Sequence, residues 1–234
     1  MNKIVLAAFS IALLASKAEA QISFSPEIGF NMATMSMKVN DLASGSFKYN
    51  TGWKAGLAIG GVADIGITGS IYFQPGLFYE MNGVKLTASY VNAGGVWNIN
   101  TLTIPLNIEY KTGEKGGNRF FIGTGPYIGY NLSASYKIDA DPTTGFPGST
   151  GNMTIGNRAG KDYIKPLDLG WGINTGYLLA NGFYIRLHYQ MGITNLNPYS
   201  DKYDVYKSSA YGVTLGYLIG GHASHTKKET KQKK

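Results

Sequence analysis

A strict two-residue alternation over Phe183–Thr194 limits what this chain can fold into more than any other feature. Phe183, Ile185, Leu187, Tyr189, Met191 and Ile193 fall on one side of it. Tyr184, Arg186, His188, Gln190, Gly192 and Thr194 fall on the other. Successive side chains of a strand point to opposite faces, so this stretch reads as one strand with an apolar and a polar face. Seven further stretches repeat the pattern, over 24–32, 53–60, 71–80, 101–110, 120–132, 168–177 and 211–219. The fourth of these is the cleanest, setting Leu102, Ile104, Leu106, Ile108 and Tyr110 against Thr101, Thr103, Pro105, Asn107 and Glu109.

The connections alternate in length. Short ones lie near 64–68, at 112–118 and at 180–182, and Asn181-Gly182 is a strong type I′ hairpin signal. Long ones run about 33–52, 81–100, 137–166 and 195–208. Short turns on one side, longer loops on the other and an even strand count describe a membrane barrel, whose strands need roughly 9–11 tilted residues to cross. The expected fold is therefore all-β, an eight-stranded antiparallel up-and-down transmembrane β-barrel. A soluble barrel is the same pattern turned inside out. The polar face separates the two, because a water-facing surface carries many mixed charges. Here it is dominated by Gly, Asn and Thr, with single charges at Lys54, Glu80, Glu109 and Arg186. Trp53, Tyr110, Tyr130, Trp171, Tyr177, Tyr211 and Tyr217 on the apolar face resemble interfacial aromatic girdles. Pro26, Pro75, Pro105 and Pro126 sit inside strands and predict bulges or one-residue register slips.

The flanks read differently. Lys3, the apolar run 4–15 and Ala18-Glu19-Ala20 make a secretory signal over 1–20, with the mature chain expected to start at Gln21. Residues 21–220 form the barrel. Residues 221–234 form a basic tail expected to be disordered. Five lysines against one glutamate in 227–234 account for most of the +7 net charge, so basicity is a tail property. Nucleic-acid binding does not fit an exported chain with that distribution.

Four stretches carry a family resemblance: FQPGLFYEMNG at 73–83, TLTIPLNIEYKTG at 101–113, FFIGTGPYIGYNLSA at 120–134 and NGFYIRLHYQMGITNL at 181–196. Together the chain resembles the PorT-like outer-membrane β-barrel domain widespread in the Bacteroidetes, over most of residues 22–220. The resemblance implies the barrel fold and the outer membrane of a Gram-negative cell, and it implies no activity. The family usually ends near its last aromatic strand, whereas this chain continues past Ile219. The founding name comes from a secretion-linked member, and no motif here selects that role.

The candidate site is a lumenal polar and charge network of Glu27, Lys54, Glu80, Glu109, Arg186 and His188. Charges out of water need partners, so a salt-bridged plug is expected, with Arg186 paired to at least one of Glu80 and Glu109. The other reading of these residues is an ion or proton path. His188-Tyr189-Gln190 resembles the His-x-Ser of lipid A deacylases, but Gln190 stands where the nucleophile belongs. His222-Ala223-Ser224 lies beyond the last strand. Gly123–Gly129 lacks the G-x-G-x-x-G spacing of a phosphate loop, and its glycines are expected to make room for neighbours such as Tyr127. Cys is absent and the three histidines are dispersed, so no metal or cofactor is expected, and no catalytic residue is assigned.

The expected function is a non-enzymatic barrel with a side-chain-filled lumen, monomeric, acting structurally or through its external loops in adhesion, binding or secretion. Small-solute transport is the alternative, and a lipid-acting enzyme comes behind it. Expected partners are outer-membrane lipids including lipopolysaccharide, and a protein or ligand at the external loops.

Overall fold

The computed structural model describes residues 22–41, 45–48, 50–87, 94–141, 143–199 and 204–220. The expected signal segment 1–20, the cleavage point before Gln21 and the basic tail 221–234 lie outside the described residues. The strands are β1 (Ile22–Asp41), β2 (Gly45–Lys48), β3 (Asn50–Gly52), β4 (Lys54–Gly66), β5 (Ile71–Thr87), β6 (Gly94–Lys111), β7 (Arg119–Ile138), β8 (Ser149–Met153), β9 (Leu167–Leu178), β10 (Phe183–Gly192) and β11 (Asp204–Tyr217). Eight of them, β1, β4, β5, β6, β7, β9, β10 and β11, pair each with the next, all antiparallel. β11 then pairs back onto β1, from Glu27↔Gly216 to Val39↔Asp204, and closes the ring. Closure removes the unpaired edges that an open sheet would expose. The minor strands β2, β3 and β8 extend one rim by pairing β1, β5 and β7.

The apolar face of every barrel strand points outward. Phe24, Ile28, Phe30, Leu57, Ile59, Ile108, Ile122, Ile173, Leu187 and Leu215 are all exposed, while Ser25, Glu27, Asn31, Gln74, Thr103, Glu109 and Asn174 are buried. A folded chain leaves so much aliphatic surface uncovered only where lipid or a partner covers it. Among the described residues no helix is long and apolar enough to cross a membrane. The few polar groups on this outer face are satisfied locally, as a bilayer requires. Trp171 Nε1 donates to the Thr124 hydroxyl at 2.7 Å, which donates to the Gly172 carbonyl at 2.8 Å. Trp53 packs edge-on against Tyr211 toward one rim, and Phe183 stacks at a tilt on Tyr217 toward the other.

The register is the same on either side of each strand proline, although pairing lapses at 76–77 of β5 beside Pro75 and at 106–107 of β6 beside Pro105 and Pro126. Pro26 stands opposite Gly61, Pro75 opposite Leu106, Pro105 opposite Tyr127 and Pro126 opposite Trp171, with no slip at any of them. A register shift lies elsewhere, between Asn100 and Thr101, where the partner strand gains a residue around Leu132.

The strands are longer than the alternation suggests. β1 and β7 each run 20 residues, about twice what a bilayer needs. The extra length lies at the end that carries the long connections, in segments expected to be loop. There the pattern inverts. Met35, Met37, Val84, Ile99 and Ala134 point inward and join Met153, Ile164 and Leu196 in one buried cluster, with Trp97, Tyr136 and Tyr206 packed against it. This end of the barrel is filled like a soluble protein and faces outward with polar groups, so reading apolar residues as lipid-facing stops working at that level.

Candidate functional site

Arg186 sits in the middle of the lumen and is buried. β10 places it on the inner face, two residues along from Tyr184. Its Nε lies 3.2 Å from Glu27 Oε1. Its Nη1 lies 2.8 Å from Glu109 Oε2 and donates to Asn174 Oδ1 at 2.7 Å. Glu27 is reached from two strands, because besides Arg186 of β10 it accepts the Tyr184 hydroxyl of β10 at 2.6 Å and the Thr214 hydroxyl of β11 at 2.5 Å. The second oxygen of Glu109 meets Lys111 Nζ at 3.1 Å and Gln74 Nε2 at 3.2 Å. Lys111 Nζ also binds Asp64 at 2.7 Å, as does Gln74 Nε2. Arg119 closes the end with the short turns, donating to the Tyr72 hydroxyl and to the carbonyls of Gly69, Lys111 and Thr112. The result is a continuous layer of alternating charge across the barrel.

Aromatic faces support that layer. The Arg186 guanidinium lies 4.9 Å from the Phe121 ring centre, and Lys111 Nζ lies 4.9 Å from that of Tyr72. Small residues make room for other lumenal rings. A Cβ at Gly170 would lie 2.4 Å from the Tyr127 ring, and one at Gly216 would lie 2.3 Å from the Tyr184 ring.

Of the residues picked out from the sequence, Glu27, Glu109 and Arg186 come together. Glu80 does not reach Arg186. It belongs to a second polar cluster nearer the loop end, where it accepts the Thr103 hydroxyl at 2.8 Å and Asn82 Nδ2 at 3.2 Å. Asp168 lies in the same region, accepts the Ser208 hydroxyl at 2.5 Å and shares a small cavity with Glu80. Lys54 stands at the loop end of β4, half-buried, with Nζ 3.4 Å from the Met81 carbonyl. His188 faces inward between Asn174 and Gly212 in register, and its buried Nε2 has no hydrogen-bond partner among the described residues. Asp64, Lys111 and Arg119 escape the sequence reading although strand parity carries the signal. Lys111 follows Glu109 by two, and Asp64 follows Gly60 by four on the inner face of β4.

The spaces left inside are small. One of ≈ 30 Å³ adjoins Glu80 and Asp168, one of ≈ 40 Å³ adjoins Gln74 and His188, and one of ≈ 30 Å³ adjoins Asp64 and Lys111. Each has room for a water, which needs about 10–15 Å³. A larger depression of ≈ 720 Å³ lies on the apolar outer side, lined by Ile28, Ile59, Ile185 and Leu215. Among the described residues no group of three or more His, Cys, Asp or Glu is placed to hold a metal.

The long connection between β7 and β9 folds over the loop end. Ile155 and Ile164 form a bridge, Ile164 is fully buried, and Lys165 N donates to the Leu196 carbonyl at 2.8 Å. Asp162 fixes this cap. It accepts Arg158 N at 2.8 Å and the Arg158 guanidinium at 3.3 Å. The backbone bond, then the side-chain bond, hold its carboxyl below the usual range. Thr143, through its hydroxyl and then its N–H, does the same for Asp141. Both carboxyls are depressed in the fold, so their contribution is complete above the unfolded value of about 3.9. It is lost as pH falls below that through the folded value. A spin label at Tyr163→Cys should therefore gain mobility below about pH 4, with no change between neutral pH and pH 5.

Residues 15–197 match the family model described as "Outer membrane protein beta-barrel domain". Among curated proteins none matches this chain in sequence. Solved structures with a similar chain course include OprG of Pseudomonas aeruginosa, at 12% identity and TM-score 0.45, covering 86% of this chain and 97% of that one. Another is Ail, the attachment invasion locus protein of Yersinia pestis, in complex with the heparin analogue sucrose octasulfate, at 13% identity and TM-score 0.41, covering 84% and 99%. Neisserial surface protein A matches at 13% identity and TM-score 0.39, covering 83% and 96%.

Proposed function

Because this chain belongs to the family of outer membrane protein β-barrel domains, and so to the outer membrane of Gram-negative bacteria, we propose that it works there as a closed, non-enzymatic barrel acting through its loop end. One observation carries this reading. The lumen is crossed by a layer in which Arg186 and Lys111 are paired with Glu27, Glu109 and Asp64, and the voids on either side of it among the described residues are water-sized. Moving a solute through would require breaking buried ion pairs, each costing several kcal/mol. The interior is thus scaffold, and specificity belongs to the surface that the strands carry beyond the bilayer. That surface presents Tyr163 and Tyr199, both more than half exposed, on connections tied to the barrel core.

The finer assignment rests on the chain's own stretches. The sequences at 73–83 and 181–196 support a place among PorT-like barrels. The segment 1–20 supports export by a cleaved signal, which makes the short turns periplasmic and the long connections external. The complete ring supports a monomer. Partners are then outer-leaflet lipids and a ligand or protein bound at the external loops.

Planar-bilayer recording of the purified barrel tests the closed lumen. The expected trace shows no steady conductance at either polarity. Reproducible single-channel steps from the monomer would replace this reading with small-solute transport.

A further inference from the structure

Four lysines follow directly on four inward-facing members of one buried cluster. Met37, Val84, Tyr136 and Tyr206 all pack in or against the apolar cluster that fills the loop end. The next residue along each strand is Lys38, Lys85, Lys137 and Lys207. Because successive strand residues point to opposite faces, all four lysines point outward, and all four are exposed. Because their predecessors share one cluster, the lysines share one height on the barrel.

The registers place them along one arc. On the β11–β1 seam Ser36 faces Lys207, putting Lys38 one outward position beyond it. On the other side Lys85 faces Val96, which faces Lys137, so these two lysines stand in one row across β5, β6 and β7. The arc therefore follows the rim from β11 to β7. Asp139 meets Lys137 at 3.2 Å, but both groups are more than half exposed, so the pair is weak.

The level of the arc is informative. Lys207 lies four residues beyond the outward Tyr211, and Lys85 four beyond the outward Met81. Four residues are about 13 Å along a strand, or about 10 Å above the apolar band at the usual barrel tilt. That is headgroup depth, above the acyl chains and beside the saccharide. We propose that Lys38, Lys85, Lys137 and Lys207 form a basic belt that holds the phosphorylated sugar headgroups of outer-leaflet lipopolysaccharide against the barrel. The inference rests on the long connections facing outside. Charge complementarity names the occupant, because a row of exposed ammonium groups at headgroup height attracts anionic lipid.

The test uses the full chain in phosphatidylcholine vesicles doped with lipopolysaccharide, then extracted in mild detergent, with the lipopolysaccharide retained per barrel as readout. Each lysine near an anionic surface is expected to contribute about fivefold. The variant K38Q/K85Q/K137Q/K207Q should retain at least about tenfold less than the parent. The corresponding four-arginine variant should retain as much as the parent, and enzymatically dephosphorylated lipopolysaccharide should not be retained. Heat-modifiable gel mobility verifies that each variant is folded. Equal retention by the glutamine variant, undiminished retention after dephosphorylation, or equal retention of phosphatidylglycerol each overturns the belt. Orientation is read separately. The chain contains no cysteine, so a membrane-impermeant maleimide on intact cells should label Y163C alone, and failure there would reject the external placement of the loops rather than the lysine contacts.

Discussion

Replacing Arg186 by Met is expected to destabilise the barrel by about 3–5 kcal/mol, the range for removing one partner of a buried ion pair. The side chain touches two carboxylates, Glu27 at 3.2 Å and Glu109 at 2.8 Å, and all three groups are buried. Without the guanidinium, Glu27 keeps its hydrogen bonds from Tyr184 and Thr214 but has no cation. Glu109 keeps Lys111, which Asp64 already shares. The lumen is then left with uncompensated negative charge, and burial of such charge is what costs most. The urea midpoint of unfolding, followed by heat-modifiable gel mobility, should fall accordingly. Adding Glu27→Gln and Glu109→Gln to Arg186→Met should recover a large part of the loss, since it removes the stranded charges. A single variant as stable as the parent would show that the layer contributes nothing to folding.

The sequence carries the barrel plainly and the network only in outline, for a geometric reason. Parity assigns a face, so Glu27, Glu80, Glu109 and Arg186 all read as lumenal. Parity says nothing of height. Which residues meet depends on the stagger of the closed sheet, and that sets Glu80 opposite Ala58 and Thr101, a level away from Arg186. Glu109 and Glu80 are therefore equivalent partners on paper and different ones in space. Asp64, Lys111 and Arg119 lie at the strand ends beside the short turns, where polar turn residues begin, so the sequence reads them as turn or turn flank. At the other rim the alternation changes sense. Met35 and Met37 turn inward and Lys38 outward, because this end stands beyond the apolar band, where a strand's outer face meets water rather than acyl chain. A reader looking for apolar-out strands meets polar-out ones and writes loop.

The layer also depends on an absence of side chain, and this gives the second large effect. Gly176 on β9 faces Phe121 of β7 on one side and Arg186 of β10 on the other. Across that gap the Phe121 ring reaches the guanidinium, 4.9 Å from ring centre to charge. A Cβ at Gly176 would lie 2.1 Å from the Ile185 carbonyl oxygen and 2.3 Å from the Phe121 ring. The ring has nowhere to retreat, because Tyr184 packs edge-on against it at 5.9 Å and Phe121 is itself almost completely buried. The carbonyl belongs to the ladder that joins β9 to β10 and cannot move without opening the barrel. Gly176→Val should consequently prevent assembly of the folded barrel, read as loss of the heat-modifiable band in cell envelopes. Gly176→Val combined with Phe121→Ala relieves the ring but not the carbonyl, so it should stay defective. Phe121→Ala alone should fold with a reduced urea midpoint, losing about 3–5 kcal/mol as buried aromatic truncations do. If Gly176→Val folds with the parent's midpoint, the close approach of Phe121 and Arg186 across that glycine is not what orders the lumen.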